Sequence, residues 1–293
     1  MRFQQTKHKS CYPSTRHRNK YSTITKGTTT KIIIKSRLRQ EMKMKTVAIF
    51  YATKGGMGDV GKFAIALAQE REPKVNVRAI ALSIEESEGK DIGSDVDVTY
   101  SDSREKMEKI LTTTEILKID VADESAEMKI REALEDVDAV VTCLGNREPK
   151  MERWCSLGTR KVINAMKAKN VKRLVCLSSM GIGKDHLKTS PILVLWSFLL
   201  STVLRSVRKD LKDLEKAVCE SDLDFALVRP VGLSPTEEPQ GYCDHLLSRD
   251  DGNLKIGLAK SDAASFMLNE ALHPTIHGRD VTIGYSMSRS KKP

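Results

Sequence analysis

The sequence predicts an α/β fold in which helices cover both faces of a mainly parallel sheet, the doubly wound arrangement. Three observations support this prediction. A glycine-rich turn at residues 54–61 joins an apolar run to a helical pattern. Apolar runs then alternate with segments of helical period, which is typical of βαβ units. The 293 residues are enough for one domain with a substantial core.

The amino-terminal segment differs from the rest in charge. Residues 1–45 contain 13 lysines and arginines but one acid, Glu41, so they carry +12, and the net charge of +10 leaves −2 for the remaining chain. Residues 1–40 show no sustained period of a helix or strand. We therefore expect a disordered basic leader at residues 1–44, a single domain at residues 45–288 and a short tail at residues 289–293.

Three interpretations of the leader remain open. Its lack of acids and its many hydroxyl side chains favour a mitochondrial or plastid transit peptide. A polybasic arm that touches nucleic acid or an acidic membrane is the second interpretation, and upstream sequence without a function is the third. If translation starts at Met42 or Met44, the product lacks the leader, and we then expect a cytoplasmic protein.

An apolar strand is predicted at residues 47–53, and a helix that starts near residue 62 follows it. Between them, Gly56, Gly58 and Gly61 match G-x-G-x-x-G, the dinucleotide-binding fingerprint, in the context of strand and helix that the motif requires. Glycines allow a tight turn and let backbone N–H groups approach a pyrophosphate at the helix N-terminus. The alternative is a tight turn that binds nothing.

Further strands are predicted at residues 75–82, 115–121, 139–144, 174–177 and 225–228, and helices at residues 125–134, 151–169 and 192–219. The acidic segment at residues 83–114 is expected to be a solvated loop. Residues 192–204 are strongly apolar but too short to span a bilayer, so we expect a buried helix there and no transmembrane segment. A dimer face or a membrane-surface contact is the alternative for that helix.

Cysteines and histidines do not indicate a metal site. The six cysteines form no C-x-x-C pair, which favours buried thiols. His273 and His277 have helical spacing, but Pro274 between them disfavours one continuous helix. We therefore predict no metal.

Four stretches in a fixed order carry a resemblance to a known family: the glycine turn, residues 138–146 with 158–167, residues 171–181 and residues 214–233. From about Lys45 to Tyr285, the chain resembles the atypical short-chain dehydrogenases of the NAD(P)-binding, NmrA-like group. It is most similar to the biliverdin reductase B and flavin reductase type. The resemblance implies a Rossmann fold that binds a nicotinamide dinucleotide.

The resemblance also implies roles for individual residues. The residues implied around the pyrophosphate are Thr53, Gly55, Gly56, Met57 and Gly58. Lys54, which stands among them, could add positive charge near a phosphate or be solvated. Asp120 and Val121 would lie beside the adenine, and Leu144 and Gly145 beside the nicotinamide ribose. Ser178 would close the site, Pro230 and Val231 would pass behind the nicotinamide, and Ser179 is the catalytic candidate. Segments 181–190 and 233–247 would supply most acceptor contacts.

Two departures from the family pattern affect the chemistry. No tyrosine occurs between Tyr100 and Tyr242, so the Tyr-x-x-x-Lys pair of common short-chain dehydrogenases is excluded there. Tyr51 stands where the family usually has glycine, and Lys54 resembles a one-residue insertion. The residues at the end of the second strand leave the nucleotide preference open. Ser83 with Lys54 could hold the phosphate of NADP. Glu85 could instead accept a hydrogen bond from the ribose of NAD.

The family tilts the cofactor prediction towards NADP(H) over NAD(H). We expect an NAD(P)H-dependent reductase of a planar conjugated acceptor such as a flavin, quinone or bilin, whose proton comes from water. The alternatives are a non-catalytic dinucleotide sensor that regulates a protein partner, and an organelle assembly factor. The expected partner is a small molecule, with a homodimer as an alternative and no nucleic acid.

Overall fold

A computed structural model describes residues 44–53, 58–83, 102–145, 153–182, 205–234, 239–247, 254–255 and 257–286. The chain divides into two units, Met1–Lys43 and Met44–Pro293. All described residues belong to the second unit. The leader predicted at residues 1–44 therefore lies almost wholly outside the described residues and stays a prediction, as do the boundaries of the domain and of the tail.

The described part of the second unit consists of eleven strands and six helices. The strands are β1 (Thr46–Ala52), β2 (Asn76–Ser83), β3 (Ile116–Asp120), β4 (Ala139–Cys143), β5 (Arg173–Leu177), β6 (Asp224–Pro230), β7 (Leu233–Ser234), β8 (Asp244–Leu247), β9 (Leu254–Lys255), β10 (Leu258–Ala259) and β11 (Arg279–Ser286). The helices are α1 (Gly58–Glu70), α2 (Asp102–Thr112), α3 (Ala126–Ala133), α4 (Trp154–Ala168), α5 (Arg205–Cys219) and α6 (Lys260–Leu272).

The main sheet has the order β3-β2-β1-β4-β5-β6-β11-β8, with β9 paired to β11, and β7 and β10 form a separate small ladder. Strands β1 to β6 and β11 run parallel, whereas β8 and β9 are antiparallel to β11. The strand order reverses between β1 and β4, which is the place where open α/β sheets bind ligands. The predicted doubly wound, mainly parallel fold is confirmed.

Alternating side chains of each strand divide the core into two layers. Along β1, Ala48 and Phe50 join the layer of α3, α4 and α5, whereas Ile49 and Tyr51 join the layer of α1 and α6. All four are almost completely buried. Because helices cover both faces, the central strands are mostly apolar instead of alternating regularly with polar residues.

The structure differs from the sequence prediction in the segment at residues 83–114. Ser83 still belongs to β2, and the carboxyl-terminal third of the segment forms helix α2, so the prediction of a loop throughout is wrong. Met107 of α2 is buried, which gives this helix an apolar anchor despite its many charges. Residues 84–101, the acidic part, lie outside the described residues, as do residues 192–204 of the predicted apolar helix.

The amino-terminal edge of the sheet is held by a buried arginine. Arg173, the first residue of β5, donates to the Glu270 carbonyl at 3.0 Å and to the Ile276 carbonyl at 2.8 Å. Its guanidinium also pairs with the Glu270 carboxylate at 3.1 Å. These bonds attach the end of α6 to the sheet, at the edge opposite the one where ligands bind in this class of fold.

Candidate functional site

The carboxyl ends of the parallel strands bring most of the predicted site residues to one edge of the sheet. The register pairs Ala52 with Leu82, and Ser83 with Asp120. On the other side of the switch point, it pairs Tyr51 with Cys143, and Leu177 with Val228. The residues that follow these pairs therefore line a common edge, as the sequence predicts.

Gly58 begins α1 immediately beyond the end of β1. A Cβ atom on Gly58 would lie 2.1 Å from the Ala52 carbonyl oxygen, a distance that no real side chain tolerates. Helix α1 can therefore begin this close to β1 only with glycine at this position. Lys54, Gly55, Gly56 and Met57 lie outside the described residues, so their predicted contacts with a pyrophosphate stay predictions.

Gly61 lets α1 pack directly on the sheet. A Cβ atom on Gly61 would lie 2.4 Å from the Cβ of Tyr51 and 3.3 Å from the Cβ of Cys143. This close approach is the role of the third glycine in a dinucleotide fingerprint. The same close packing accommodates Tyr51, whose ring is buried against the helix. Burial raises the pKa of the Tyr51 hydroxyl.

At the ends of β1, β2 and β3, backbone hydrogen bonds connect the neighbouring strands. Thr53 donates its N–H to the Leu82 carbonyl at 3.1 Å, and Val121 donates to the Ser83 carbonyl at 2.8 Å. Asp120 accepts the N–H of Ala122 at 2.8 Å and so fixes the turn after β3. The Val121 side chain is fully buried, so the surface at this position is formed by its neighbours and the backbone.

Beyond β4, Leu144 and Gly145 are buried close to the first turns of α4. A Cβ atom on Gly158 of that helix would lie 3.1 Å from Leu144 Cδ1 and 3.5 Å from Leu82 Cδ1. The glycine thus brings α4 over the ends of β2 and β4. The predicted adenine and ribose contacts on this side stay predictions.

The N-terminus of helix α4 is capped by a carboxylate from another helix. Asp210 of α5, which is almost completely buried, accepts the N–H of Cys155 through Oδ2 and that of Ser156 through Oδ1, both at 2.9 Å. A carboxylate stabilises a helix N-terminus through hydrogen bonds and through the helix dipole. Asp210 therefore joins α5 to the start of α4, beside the candidate site.

We expect Asp210→Asn to lower the free energy of unfolding by about 1–3 kcal/mol, because one N–H of α4 then faces an amide donor in a buried place. Urea unfolding of both proteins measures the effect. The matched control is Asp222→Asn, an exposed position with positive φ that asparagine also adopts readily. Equal losses for the two variants would contradict the capping role of Asp210.

On the side of β5 and β6, a buried polar network links the predicted site residues to α5. Ser178 donates its hydroxyl to Glu215 Oε1 at 2.6 Å. Arg229 donates to Oε1 and Oε2 of the same carboxylate at 2.8 and 2.7 Å, and to Asp280 of β11. The hydroxyl of Ser178 is thus engaged within the protein, and the residue is completely buried.

Ser179 and the segment after β6 lie at the same edge as Ser178. The Ser179 side chain is partly exposed, and its hydroxyl is 3.3 Å from the Met180 carbonyl oxygen, a long contact that leaves the hydroxyl weakly held. Pro230 ends β6, and Val231 donates its N–H to the Ile283 carbonyl at 3.0 Å. The catalytic role of Ser179 stays a prediction.

Positive charge flanks the start of α1. Lys260, the first residue of α6, forms an ion pair with Asp59, and Lys62 lies 3.5 Å from the same carboxylate. Burial alone would raise the pKa of Asp59, but the charges of Lys260, Lys62 and Arg104 outweigh burial and lower it. Arg104, in the first turn of α2, is thus one of the cations that lower the pKa of Asp59.

We expect Asp59→Asn to destabilise the protein by about 1–2 kcal/mol at pH 7, because a charge-assisted hydrogen bond is lost. A lowered folded-state pKa means that the carboxylate stabilises the fold above its unfolded pKa of about 3.9 and stops doing so as the pH falls through the folded value. The difference between variant and wild type should therefore vanish in acid. Urea unfolding at several pH values measures it, and a pH-independent difference would contradict the pairing.

Three cysteine thiols in the described part of the chain have a raised pKa. Burial raises the pKa of Cys176 and Cys243 to about 12, and it also raises the pKa of Cys143. These thiols are therefore uncharged near neutral pH, and the thiolate is the reactive form. Within the described ranges, no three histidine, cysteine or acidic side chains are grouped closely enough to hold a metal ion, and no helix there is long and apolar enough to cross a membrane.

The fold and this edge define a dinucleotide-binding protein of the Rossmann type, and comparison with known proteins supports that class. A family model described as NAD(P)H-binding matches residues 94–274, which is more than half of the chain. The chain therefore belongs to the NAD(P)H-binding family. A search of curated proteins found no significant match.

Solved structures of similar fold include two short-chain dehydrogenases/reductases from Veillonella parvula. One is 14% identical with a TM-score of 0.57, and the other, of wide type and in complex with NADP, is 13% identical with a TM-score of 0.55. A Rossmann-fold NAD(P)-binding family protein from Shigella flexneri is 18% identical with a TM-score of 0.51. Each alignment covers 85% of this chain and 98% of the other. At these identities the likeness shows the fold.

Several charged residues described above were not predicted from the sequence: Asp59, Arg104, Asp210, Glu215 and Lys260. Most have partners that are distant in sequence; Lys260 and Asp59 are 201 positions apart. One signal was available for α6. Its buried residues Ala263, Ala264, Met267 and Leu268 have helical spacing directly after the polar residues Lys260 and Asp262.

Proposed function

We propose that the protein is an NADPH-dependent reductase of a planar conjugated acceptor, a flavin, quinone or bilin-like molecule. The observation that carries the proposal is the start of α1, where Gly58 and Gly61 occupy places that a Cβ atom would block. The start of α1 lies beside the switch point between β1 and β4, where dinucleotides bind in such sheets. The residues present therefore fit the dinucleotide that the family implies.

NADPH is proposed over NADH because of charge near the start of α1. The arginine that would contact a 2′-phosphate does not directly follow β2 in sequence, but Arg104 lies in the first turn of α2, the helix after β2. Its charge helps to lower the pKa of Asp59, and its guanidinium forms an ion pair with Glu108 at 3.3 Å. An arginine near the ribose is the usual partner of that phosphate. Ser83, at the end of β2, would assist.

Arg104→Gln tests the nucleotide preference. We expect the Kd for NADPH to rise about tenfold, because the variant loses a charge-assisted contact to phosphate that is worth about 1.5–3 kcal/mol. The Kd for NADH should change little, because NADH has no 2′-phosphate. The control is Lys106→Gln on the same helix, whose exposed side chain pairs with Glu70. If NADPH and NADH weaken equally, Arg104 does not read the phosphate.

The chemistry divides between the dinucleotide and the protein. When bound, reduced nicotinamide would supply a hydride, and the acceptor would take one further proton from water to give its two-electron-reduced form. The chain's own residues would position the reactants: Pro230 and Val231 behind the nicotinamide, and Ser179 beside the acceptor. The network of Ser178, Glu215 and Arg229 would keep these two segments together.

Turnover is tested by following the loss of reduced-nicotinamide absorbance with flavin, quinone and bilin acceptors, for the wild type and Ser179→Ala. We expect turnover by the wild type, preferentially with NADPH. We expect about a tenfold or larger loss for Ser179→Ala if its hydroxyl orients the acceptor or relays a proton. Full activity of that variant would remove Ser179 from the mechanism.

A second function is favoured by the missing proton donor. Since the sequence has no tyrosine between Tyr100 and Tyr242, an NmrA-like sensor would bind dinucleotide and regulate a partner without chemistry. Tight binding of NADPH with no acceptor consumed would support the sensor. The reductase of the biliverdin reductase B or flavin reductase type requires both binding and turnover.

The leader is proposed to be a transit peptide that leads the chain to a mitochondrion or plastid. This proposal rests on its 12 lysines and arginines and its lack of acids before Glu41. The N-terminal sequence of the native protein tests it. Cleavage near residue 44 supports import, whereas a start at Met42 or Met44 supports a cytoplasmic product.

A further inference from the structure

The first turn of α1 carries an acidic residue close to the place proposed for the diphosphate of the dinucleotide. Asp59 directly follows Gly58, the first residue of the helix. Side chains in a helix tilt toward its N-terminus, so the Asp59 carboxylate lies toward the end of α1 where the diphosphate would bind. A carboxylate and a diphosphate at the same helix end repel each other. An unpaired Asp59 would therefore oppose dinucleotide binding.

A lysine from another helix pairs with this carboxylate. Lys260, the first residue of α6, forms an ion pair with Asp59 Oδ2, and the two side chains are only 9% and 17% exposed. Lys62 also approaches Asp59, but its Nζ lies 3.5 Å from Oδ1 and its side chain is 32% exposed. A pair that is largely buried is screened little by salt and solvent. Lys260 is therefore the stronger counter-charge of Asp59.

The backbone on both sides of Lys260 is fixed. Ala259, the residue before it, donates its N–H to the Tyr285 hydroxyl at 3.2 Å. The helix that follows packs in the same core layer as α1, and both helices contribute completely or almost completely buried alanines to it: Ala64, Ala68, Ala263 and Ala264. Lys260 is thus held beside the first turn of α1 by the packing of the fold.

We propose that Lys260 is a positioning residue of the dinucleotide site, which neutralises Asp59 so that the N-terminus of α1 can accept a diphosphate. This inference rests on the proposed function. NADPH and NADH carry the same diphosphate, so Lys260 affects the binding of both equally. Its role thereby differs from that of Arg104, which is proposed to contact the 2′-phosphate of NADPH alone.

The test is a calorimetric titration of the full-length protein with NADPH and with NADH, for the wild type, Lys260→Met, Asp59→Asn and the double variant. We expect Lys260→Met to raise both Kd values about tenfold, because Asp59 is then an unpaired like charge beside the diphosphate. Asp59→Asn should lower both Kd values about threefold, because the charge of Lys260 then acts on the diphosphate. The double variant should bind within about threefold of the wild type.

The opposite signs of the two single variants separate this role from a merely structural one. If the pair only held α1 to α6, both single variants would bind the dinucleotide more weakly. Asp59→Asn also tests the charge of this pair if Lys260→Met does not fold, which urea unfolding reports. The matched control is Lys45→Met, since Lys45 donates to the Leu272 carbonyl at the other end of α6. We expect both of its Kd values to stay within about twofold of the wild type.

The same titration distinguishes failure of this inference from failure of the proposed function. If the wild type binds neither NADPH nor NADH, the proposed function fails. If the wild type binds them, unchanged Kd values in Lys260→Met would overturn the role of Lys260 alone. Weaker binding by Asp59→Asn than by the wild type would overturn it as well.

Discussion

Gly61→Ala is expected to weaken NADPH binding by at least about tenfold, although alanine favours a helix by up to about 1 kcal/mol. The added methyl group would lie 2.4 Å from the Cβ of Tyr51, an atom fixed by the backbone of β1. Helix α1 must therefore move away from the sheet by roughly 1 Å, and its first N–H groups move with it. Overpacking of this kind also costs about 1–3 kcal/mol of stability.

Gly158→Ala is the matched control for this prediction, since it adds the same methyl group inside another helix. There the nearest atom is Leu144 Cδ1 at 3.1 Å, the end of a side chain that can rotate. We expect stability within about 1 kcal/mol of the wild type. Calorimetric titration with NADPH and urea unfolding measure both effects. Normal NADPH affinity in Gly61→Ala would show that the position of α1 does not govern binding.

Arg229→Met is expected to lower the free energy of unfolding by about 3–5 kcal/mol, because it leaves the carboxylates of Glu215 and Asp280 buried without their cation. All three side chains are largely buried, at 8%, 12% and 9% exposure. Glu215 would keep the hydrogen bond from the Ser178 hydroxyl, which carries no compensating charge. Chemical unfolding in urea at neutral pH measures the loss.

Lys216→Met, on the helix that carries Glu215, controls for loss of a positive charge. Its pair with Glu220 is at 4.0 Å with both side chains about two-thirds exposed, so we expect a change of about 0–1 kcal/mol. The triple variant Arg229→Met, Glu215→Gln, Asp280→Asn removes the unpaired charges and should recover much of the loss. Equal effects of the Arg229 and Lys216 variants would show that the buried network contributes little.

The strands could be predicted from sequence because their signal is local. Residues 139–144, predicted as one apolar run, correspond within one residue to β4, and β1, β2, β3 and β5 agree equally well. Strand β6 extends two residues beyond its predicted run, and β11 was not predicted. The short strands β7 to β10 have two to four residues, too few for any period to be visible. Helix α2 was missed because its charged residues outnumber its apolar ones, and its anchor is the single buried Met107.

The candidate site was predictable where backbone geometry dictates the residue, and less so where charge pairs decide. Gly58 and Gly61 are required by a tight turn and by close packing, which the motif encodes locally. By contrast, Glu215 and Asp262 act on Ser178 and on residues 240–241, which belong to other elements. Such partners are fixed by the packing of α5 and α6 on the sheet, and no short spacing in the sequence records that packing.

The most direct test of the account is a titration of the full-length protein with NADPH and with NADH by calorimetry. We predict one site per chain, saturable binding of NADPH with a Kd below about 1 mM, and weaker binding of NADH. Gly61→Ala should lose this binding and Gly158→Ala should keep most of it. Absence of binding by either nucleotide to the folded wild-type protein would contradict the central claim that this edge of the sheet holds a nicotinamide dinucleotide.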